Sequence, residues 1–349
     1  MHLLVSALEP SSNLHLRELL KHLPSHIRLH GIFDKTVSQD KPMYDISDMA
    51  VMGVVDALQK LPWFFRVADE MLQAARDVDA VLLMDGSGFN LPLAKKIKTA
   101  YPHKRIIYYI LPQVWASRRG RAAKLERYCD DLLGILPFET AYYPSSKARY
   151  VGHPLLDEIT HTYAPHPDTV AFLPGSRPGE IRRLMPHFRE VRRNLATKRA
   201  LLAVPSHMSQ TRIQELYGDT EGFEIRRNTH EVLAQSEFAF ICSGTATLEA
   251  ALIGTPFVLT YIAKAADFFI GTKLLGIKEV GLANIILRHK GDKPLHEELL
   301  QSDVTPQRLL HAYESTDRAR FAQKAAELKA YLGHGSSANV ARIITQGEL

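Results

Sequence analysis

Three groups of residues have the types and the spacing to do chemistry. The first lies in Val170-Ala-Phe-Leu-Pro-Gly-Ser-Arg-Pro-Gly-Glu180, where an apolar run stops at Pro174, Gly175, Ser176 and Arg177. A helical pattern follows, carried by Leu184, Phe188, Val191 and Leu195. A turn that ends a strand and opens a helix presents unpaired N–H groups and the positive end of a helix dipole; Ser176 adds a hydroxyl and Arg177 a permanent planar cation. That combination suits a phosphate. The second group is Ser243, Gly244 and Thr245, between the apolar run Phe238 to Cys242 and a helical pattern that ends at Gly254 and Pro256. Glu249, one turn into that helix, is placed to accept hydrogen bonds from ribose hydroxyls. The third is Asp85, which follows the apolar run Ala80 to Met84 and has Gly86 and Gly88 beside it, leaving room for a substrate. It is a candidate general base, or a carboxylate that holds a partner group. Each group alone also reads as an ordinary strand-to-helix connection or turn. Two such turns together with Arg177 favour a nucleotide-diphosphate site.

These residues need strand tips to carry them, and the chain supplies strands alternating with helices. In the first half, strands are expected at 3–7, 27–32, 80–84, 105–110, 131–136 and 148–151, and a helix at 14–23 after the turn Glu9 to Asn13. The second half repeats the pattern: strands at 170–173, 200–204, 223–226, 238–242 and 257–260, with helices at 180–197, 209–217, 229–235 and 245–253. Residues 268–275 read as an apolar helix, 280–286 as a segment returning toward a cleft, and everything from Glu297 onward as helical. The stretch His161 to Asp168 carries two prolines and reads as a hinge. The expected architecture is α/β, two similar doubly wound halves facing a cleft, divided as 1–163 and 164–330, with a helical tail at 331–349.

Between residues 44 and 76 the rhythm breaks. Val51, Val54, Val55 and Leu58 form one stripe, and Phe64, Val67, Met71 and Ala75 another. Met52, Trp63 and Phe65 fall outside both, so this is either a greasy exposed patch for acyl chains, a bilayer surface or a partner, or an over-hydrophobic pair of core helices.

Composition narrows the class. With 46% hydrophobic and 23% charged residues the chain can bury sizeable cores, so bulk disorder is excluded. Its two cysteines, Cys129 and Cys242, lie in apolar or helical patterns, which speaks against a disulfide framework and for a reducing compartment. The N-terminus lacks a basic leader and no apolar stretch approaches the roughly 18–20 residues that span a bilayer. A cytoplasmic protein able to touch a membrane is expected. The net charge of +5 is modest, but its basic residues cluster. One cluster is Arg118, Arg119, Arg121, Lys124 and Arg127; the other is Arg182, Arg183, Arg189, Arg192, Arg193, Lys198 and Arg199. Anionic lipid, phosphorylated substrate and nucleic acid are all compatible with them, and a merely solvated helix face is the alternative, above all for the second cluster.

Taken in order, further motifs accompany these groups: Ala50-Val-Met-Gly-Val-Val-Asp-Ala-Leu58, Met84-Asp85 with Phe89-Asn90, Pro112-Gln-Val-Trp-Ala116, Leu136-Pro-Phe-Glu139, Val151-Gly-His153, Leu173 to Arg177 with Glu180, Ser243 to Ala246 with Leu248-Glu249, and Leu282-Ala-Asn284. The set resembles the lipid-A-disaccharide synthase family of membrane-associated glycosyltransferases across nearly the whole chain. The resemblance implies a GT-B type architecture of two Rossmann-like domains, 1–163 acceptor- or membrane-facing and 164–330 nucleotide-sugar-binding, with C-terminal helices that can cross back to the first. It also implies an inverting transfer of 2,3-diacylglucosamine from UDP to 2,3-diacylglucosamine 1-phosphate, giving a β-1,6 disaccharide and UDP, at the cytoplasmic side of the inner membrane. On it, Arg177 with the backbone at Gly175, Ser176, Gly244 and Thr245 neutralises the departing UDP, Ser243 completes that cradle, Glu249 holds the ribose and Asn284 contacts the nucleotide or donor. Asp85 deprotonates the acceptor's 6-hydroxyl. Glu9, Ser11, Met52, Trp63, Phe65, Arg118 and Arg119 are candidates for acceptor, acyl or membrane contact. No metal or other cofactor is expected, no nucleic-acid partner, and a homodimer is compatible.

Departures from the family pattern are local. The first turn, Gly-Glu-x-Ser-Gly-Asp in the family, is here Leu8-Glu9-Pro10-Ser11-Ser12-Asn13; a second acidic residue after Asp85 is replaced by Gly88, and an Arg after Tyr261 by Ile262, with Lys264 nearby. Two rival readings remain: another GT-B enzyme of UDP-N-acetylglucosamine, whether a lipid-acceptor transferase or a 2-epimerase, and a non-catalytic basic protein docking on a membrane or polyanion. The second lacks aromatic residues interleaved with its basic clusters.

Overall fold

The computed structural model of the chain describes residues 1–46, 61–206, 208–263 and 279–346. The chain forms two compact units, Met1–Glu158 joined by Leu332–Leu349, and Ile159–Tyr331.

In the first unit six strands, β1 (His2–Ala7), β2 (Arg28–Ile32), β3 (Ala80–Met84), β4 (Arg105–Tyr109), β5 (Asp131–Gly134) and β6 (Ala148–Tyr150), form one parallel sheet in the order β2-β1-β3-β4-β5-β6. Their apolar runs are continuous because both faces are covered. Leu3, Val5, Leu82, Met84 and Tyr109 pack on one side with Leu16 and Leu19 of helix Pro10–Leu20. Leu4, Val81, Leu83 and Tyr108 pack on the other with Val67 and Met71 of helix Leu61–Ala75 and with Leu93 and Ile97 of helix Ser87–Ala100. The strand order reverses between β1 and β3. There Ala7 pairs with Met84, so Glu9 and Asp85 leave the sheet from neighbouring carboxyl ends.

The second unit repeats the design with β7 (His166–Leu173), β8 (Arg199–Ala203), β9 (Phe223–Arg226), β10 (Ser236–Cys242), β11 (Phe257–Tyr261) and β12 (Glu298–Leu300), parallel and in the order β12-β11-β10-β7-β8-β9. Phe172, Phe188 and Phe240 are at its centre, with the rings of Phe172 and Phe240 stacked at 5.0 Å. Here the order reverses between β7 and β10. In both units, then, the chemistry-bearing tips flank the point where an open α/β sheet leaves a crevice for ligand.

Several elements differ from expectation for local reasons. The first helix begins at Pro10, not at Leu14, because proline's fixed φ favours the first helical position, and Asn13 turns its amide back to the carbonyls of Ala7 and Glu9. Residues 282–290 form a regular helix (Leu282–Lys290) within the stretch read only as a segment returning toward a cleft. Glu298–Leu300 is a strand, not helix: three residues carry no readable period, and the pairing comes from β11. The chain's last helix, Ser336–Gln346, crosses back to the first unit, where Val340, Ile343 and Ile344 join the core beside Leu16 and Leu19. The stripe at Val51, Val54, Val55 and Leu58, the candidate Met52, Lys264 and the apolar run 268–275 lie outside the described residues.

Candidate functional site

In the second unit the two turns at Pro174–Arg177 and Ser243–Thr245 are brought together. β7 and β10 are adjacent, with Leu173 opposite Ile241. Gly175 has φ +96°, and a side chain added there would meet Glu180 Oε2 at 2.6 Å and Cys242 Sγ at 3.1 Å. Glycine is required both by the left-handed backbone and by this close approach. Helix Pro178–Asn194 follows directly. Glu180, buried, accepts the Arg177 amide at 3.3 Å and pairs with its guanidinium at 3.1 Å, tying the residue before the helix to its first turn. The guanidinium itself is four-fifths exposed, so it can swing to an anion while Glu180 keeps its base in place. Ser176, Gly244 and Thr245 are exposed. The Ser243 amide donates to Thr260 at 3.0 Å, which leaves its hydroxyl as its contribution. Amides for a ligand begin at Gly244 and Thr245, at the start of helix Thr245–Ile253, where no preceding carbonyl can take them. Glu249, in the second turn of that helix, has its Oε2 3.6 Å from His230 Nε2.

Asn284 is placed differently from the expected ligand contact. It is 2% exposed, its amide donates to His296 O at 3.0 Å and Glu298 Oε1 at 2.9 Å, and its oxygen accepts the amides of Leu295 and His296. All of its side-chain hydrogen-bonding capacity is used internally. It anchors the segment before β12 to helix Leu282–Lys290, and Glu298 in turn accepts the amides of Val280 and Gly281.

In the first unit, Asp85 is half-buried at the tip of β3, with φ +49°. Burial raises its pKa above the ordinary 3.8, against the Gly86 amide and His15, both of which lower it. Glu9, the residue before helix Pro10–Leu20, is exposed; its pKa is raised by partial desolvation and then by the charge of Asp85, so the two carboxylates sense each other. Ser11 lies half-buried in the first turn of the same helix. His15, two turns in, is buried and paired with Glu158. Sequence reasoning missed the groups that fix Asp85. Asn90 Nδ2 donates to its carbonyl at 2.9 Å, the Tyr108 hydroxyl donates to the same oxygen at 2.5 Å, and Ser6 Oγ donates to Asn90 Oδ1 at 2.6 Å. Asn90 follows Met84-Asp85 as part of the Phe89-Asn90 pair; Ser6 and Tyr108 carry no local signal.

The two basic clusters part company. In the second, Arg182 pairs with Glu215, Arg193 with Glu190, Lys198 with Asp168 and Glu237, and Arg199 with Glu224. Arg183, Arg189 and Arg192 donate to the carbonyls of Ile262, Tyr217 and Gly222. It is a structural, solvated face. In the first, Arg118, Arg119 and Lys124 are exposed at helix Gly120–Tyr128, and Arg121 reaches Ser87 Oγ at 2.8 Å, two residues from Asp85. Trp63 is half-buried against Tyr44 at 5.6 Å and Phe64 at 5.1 Å, whereas Phe65 is 64% exposed. Among the described residues no helix is long and apolar enough to cross a membrane, and no group of three or more His, Cys, Asp or Glu has metal-site geometry. The Glu139 carboxylate, buried, caps the amides of Ile135 and Leu136 at 3.0 Å, and burial pushes its pKa up to about 7.

Comparison with known proteins bears on this geometry. The family model described as lipid-A-disaccharide synthetase matches residues 3–343. A lipid-A-disaccharide synthase of Helicobacter acinonychis (strain Sheeba) is 47% identical over 352 residues, covering 97% of this chain and 96% of that protein. One from Campylobacter jejuni (strain RM1221) is 43% identical, covering 98% and 99%. Among solved structures, MurG of Acinetobacter baumannii superposes with a TM-score of 0.58 at 13% identity, covering 99% of each chain, a likeness of GT-B fold alone.

Proposed function

The chain belongs to the lipid-A-disaccharide synthetase family and is a hexosyltransferase of lipid A disaccharide synthesis; from that premise we propose that its second unit holds a UDP-activated 2,3-diacylglucosamine and that its first unit receives 2,3-diacylglucosamine 1-phosphate. One observation carries the donor assignment: two strand-to-helix turns on the adjacent strands β7 and β10, packed together at Gly175 and Cys242, with an exposed Arg177 between solvent and its anchor Glu180. Such a pair of helix starts with a guanidinium meets the charge of a diphosphate. Glu249 accepts the ribose hydroxyls, and Asn284 acts by holding its helix rather than by touching the nucleotide.

The reaction is a single displacement with inversion. Asp85 takes the proton of the acceptor's 6-hydroxyl, the freed oxygen attacks the donor's anomeric carbon, and the bond from that carbon to the phosphate oxygen breaks. Charge growing on the leaving UDP falls on Arg177, the Ser243 hydroxyl and the amides of Gly244 and Thr245, groups already oriented before the reaction. Arg118 and Arg119, exposed at a helix start near Ser87, receive the acceptor's 1-phosphate, and Phe65 with these cations rests on an anionic membrane surface at the cytoplasmic face of the inner membrane. Glu9 and Ser11 line the acceptor side.

The test is release of UDP from the UDP-diacylglucosamine donor, measured with and without the phosphorylated acceptor. UDP should appear only with acceptor, in step with disaccharide. Release of UDP, or formation of an epimer, from the donor alone would overturn this reading.

A further inference from the structure

Asp85 is one of four described residues other than glycine with positive φ, and Gly86 after it is also left-handed at φ +47°. L-residues adopt this region rarely, because the side chain crowds the following carbonyl, and such conformations persist only where surrounding contacts over-determine them. At Asp85 those contacts are on both sides. Its amide continues the sheet ladder, donating to Tyr109 O of β4 at 3.0 Å. Its carbonyl receives two donors, Asn90 Nδ2 and the Tyr108 hydroxyl. Asn90 also donates to Met84 O at 3.0 Å, and Ser6 Oγ on β1 donates to Asn90 Oδ1, which sets the Asn90 amide with its nitrogen toward the β3 tip. Ser6, Asn90 and Tyr108 are each fully buried.

We infer that Ser6, Asn90 and Tyr108 are positioning residues for Asp85: by fixing its carbonyl while the sheet fixes its amide, they lock the left-handed backbone and so aim the carboxylate. With both peptide planes held, the direction of the Cα–Cβ bond is set and only the side-chain torsions stay free. The ties come from the strands on either side of β3 and from the helix that follows it, so the tip cannot relax without breaking a buried, fully satisfied polar network. Neutral buried hydrogen bonds of this kind add little net stability over apolar groups of the same shape, so stability alone gives them little reason to converge on one carbonyl. This inference rests on Asp85 being the catalytic base.

Tyr108→Phe and Ser6→Ala each remove one hydroxyl and keep the remaining volume. With UDP release as the assay, each should lower kcat by about tenfold while the donor KM stays within twofold, since a misaimed base loses near-attack geometry without loss of binding. In an Asp85→Asn background the same changes should cost no more than about twofold, because they act through the carboxylate. Independently, Asp85→Gly should melt about 1–3 °C above Asp85→Ala, because glycine enters the left-handed region freely. Full kcat in both hydroxyl variants beside an Asp85→Asn protein that has lost about a hundredfold overturns the positioning role and spares the base. Equal losses in both backgrounds, or Asp85→Ala melting higher than Asp85→Gly, also overturn it. An Asp85→Asn protein with near-normal kcat overturns the assignment of the base itself.

Discussion

Asp157 accepts the amide of Ser337 on Oδ2 at 2.8 Å, and that of Gly335 on Oδ1 at the same distance. One carboxylate, on the short helix Leu155–Glu158, thus caps the start of helix Ser336–Gln346 and ties the two helices together. Gly152 completes the clasp: its φ is +92°, and any side chain there would meet the Gly333 and His334 carbonyls at 3.3 Å. The motif Val151-Gly-His153 with Asp157 is therefore a seat for the start of helix Ser336–Gln346. Asp157→Ala should lower the stability of the first unit by about 2 kcal/mol, the worth of two charge-assisted hydrogen bonds less relaxation. An unchanged midpoint in guanidinium unfolding would remove the clasp from the stability of the fold.

Arg177→Ala and Asp85→Ala should each cut turnover by at least about a hundredfold with folding intact, since each removes a whole interaction with developing charge or a transferred proton. Steady-state UDP release with matched circular dichroism checks both. Near-normal rates in either variant would discard the role given to that residue.

Gly175→Ala should be costly out of proportion to one methyl group. The new Cβ needs a left-handed backbone and must displace Glu180 Oε2 from 2.6 Å, loosening the anchor of Arg177. A donor KM raised about tenfold or more, with stability lower by about 1–2 kcal/mol, is the expected result. An unaltered KM would mean that Glu180 does not organise the cradle.

Two raised carboxyls give opposite signs with pH. Asp85 must be ionised to act as a base, so kcat should rise with pH along an acid limb lying above the ordinary 3.8, and that limb should vanish in Asp85→Asn. Glu139 binds its proton more tightly when folded. The stability it contributes is complete below 4.5 and is lost as pH rises toward about 7. Glu139→Gln keeps an oxygen for the Ile135 and Leu136 amides and should flatten that fall, whose slope for one proton is at most about 1.4 kcal/mol per pH unit. Identical stability profiles for the two proteins would contradict the assignment.

Phe65→Ser should weaken partition onto vesicles containing anionic lipid while sparing turnover on detergent-dispersed substrate, because its ring is largely in water and supports no core. Sedimentation with vesicles at two ionic strengths separates this apolar contribution from that of Arg118 and Arg119. Equal partition of the variant and the parent would argue that membrane contact lies elsewhere.

Much of the molecule was legible before folding was considered. Continuous apolar runs announced β3, β7 and β10, because strands covered on both faces need no polar alternation. Turn chemistry at Pro174 to Arg177 and at Ser243 to Thr245 announced strand-to-helix turns with free amides, since glycine, serine and a helix start act locally. Short or proline-started elements escaped: Glu298–Leu300 draws its hydrogen bonds from β11, and Pro10 opens a helix that its neighbours disguise as a turn.

By itself the sequence determined the α/β class, the alternation, and which turns present amides and cations, all properties of neighbouring residues. Only the tertiary structure decided that β7 lies beside β10, that Asn284 is consumed within its own unit, that the arginines of helix Pro178–Asn194 serve carbonyls and carboxylates, and that Ser6, Asn90 and Tyr108 converge on Asp85. The physical reason is range. Periodicity and turn chemistry record burial and backbone geometry a few residues at a time, whereas a buried hydrogen bond between residues 84 positions apart, as from Ser6 to Asn90, exists only once the strands have chosen their neighbours.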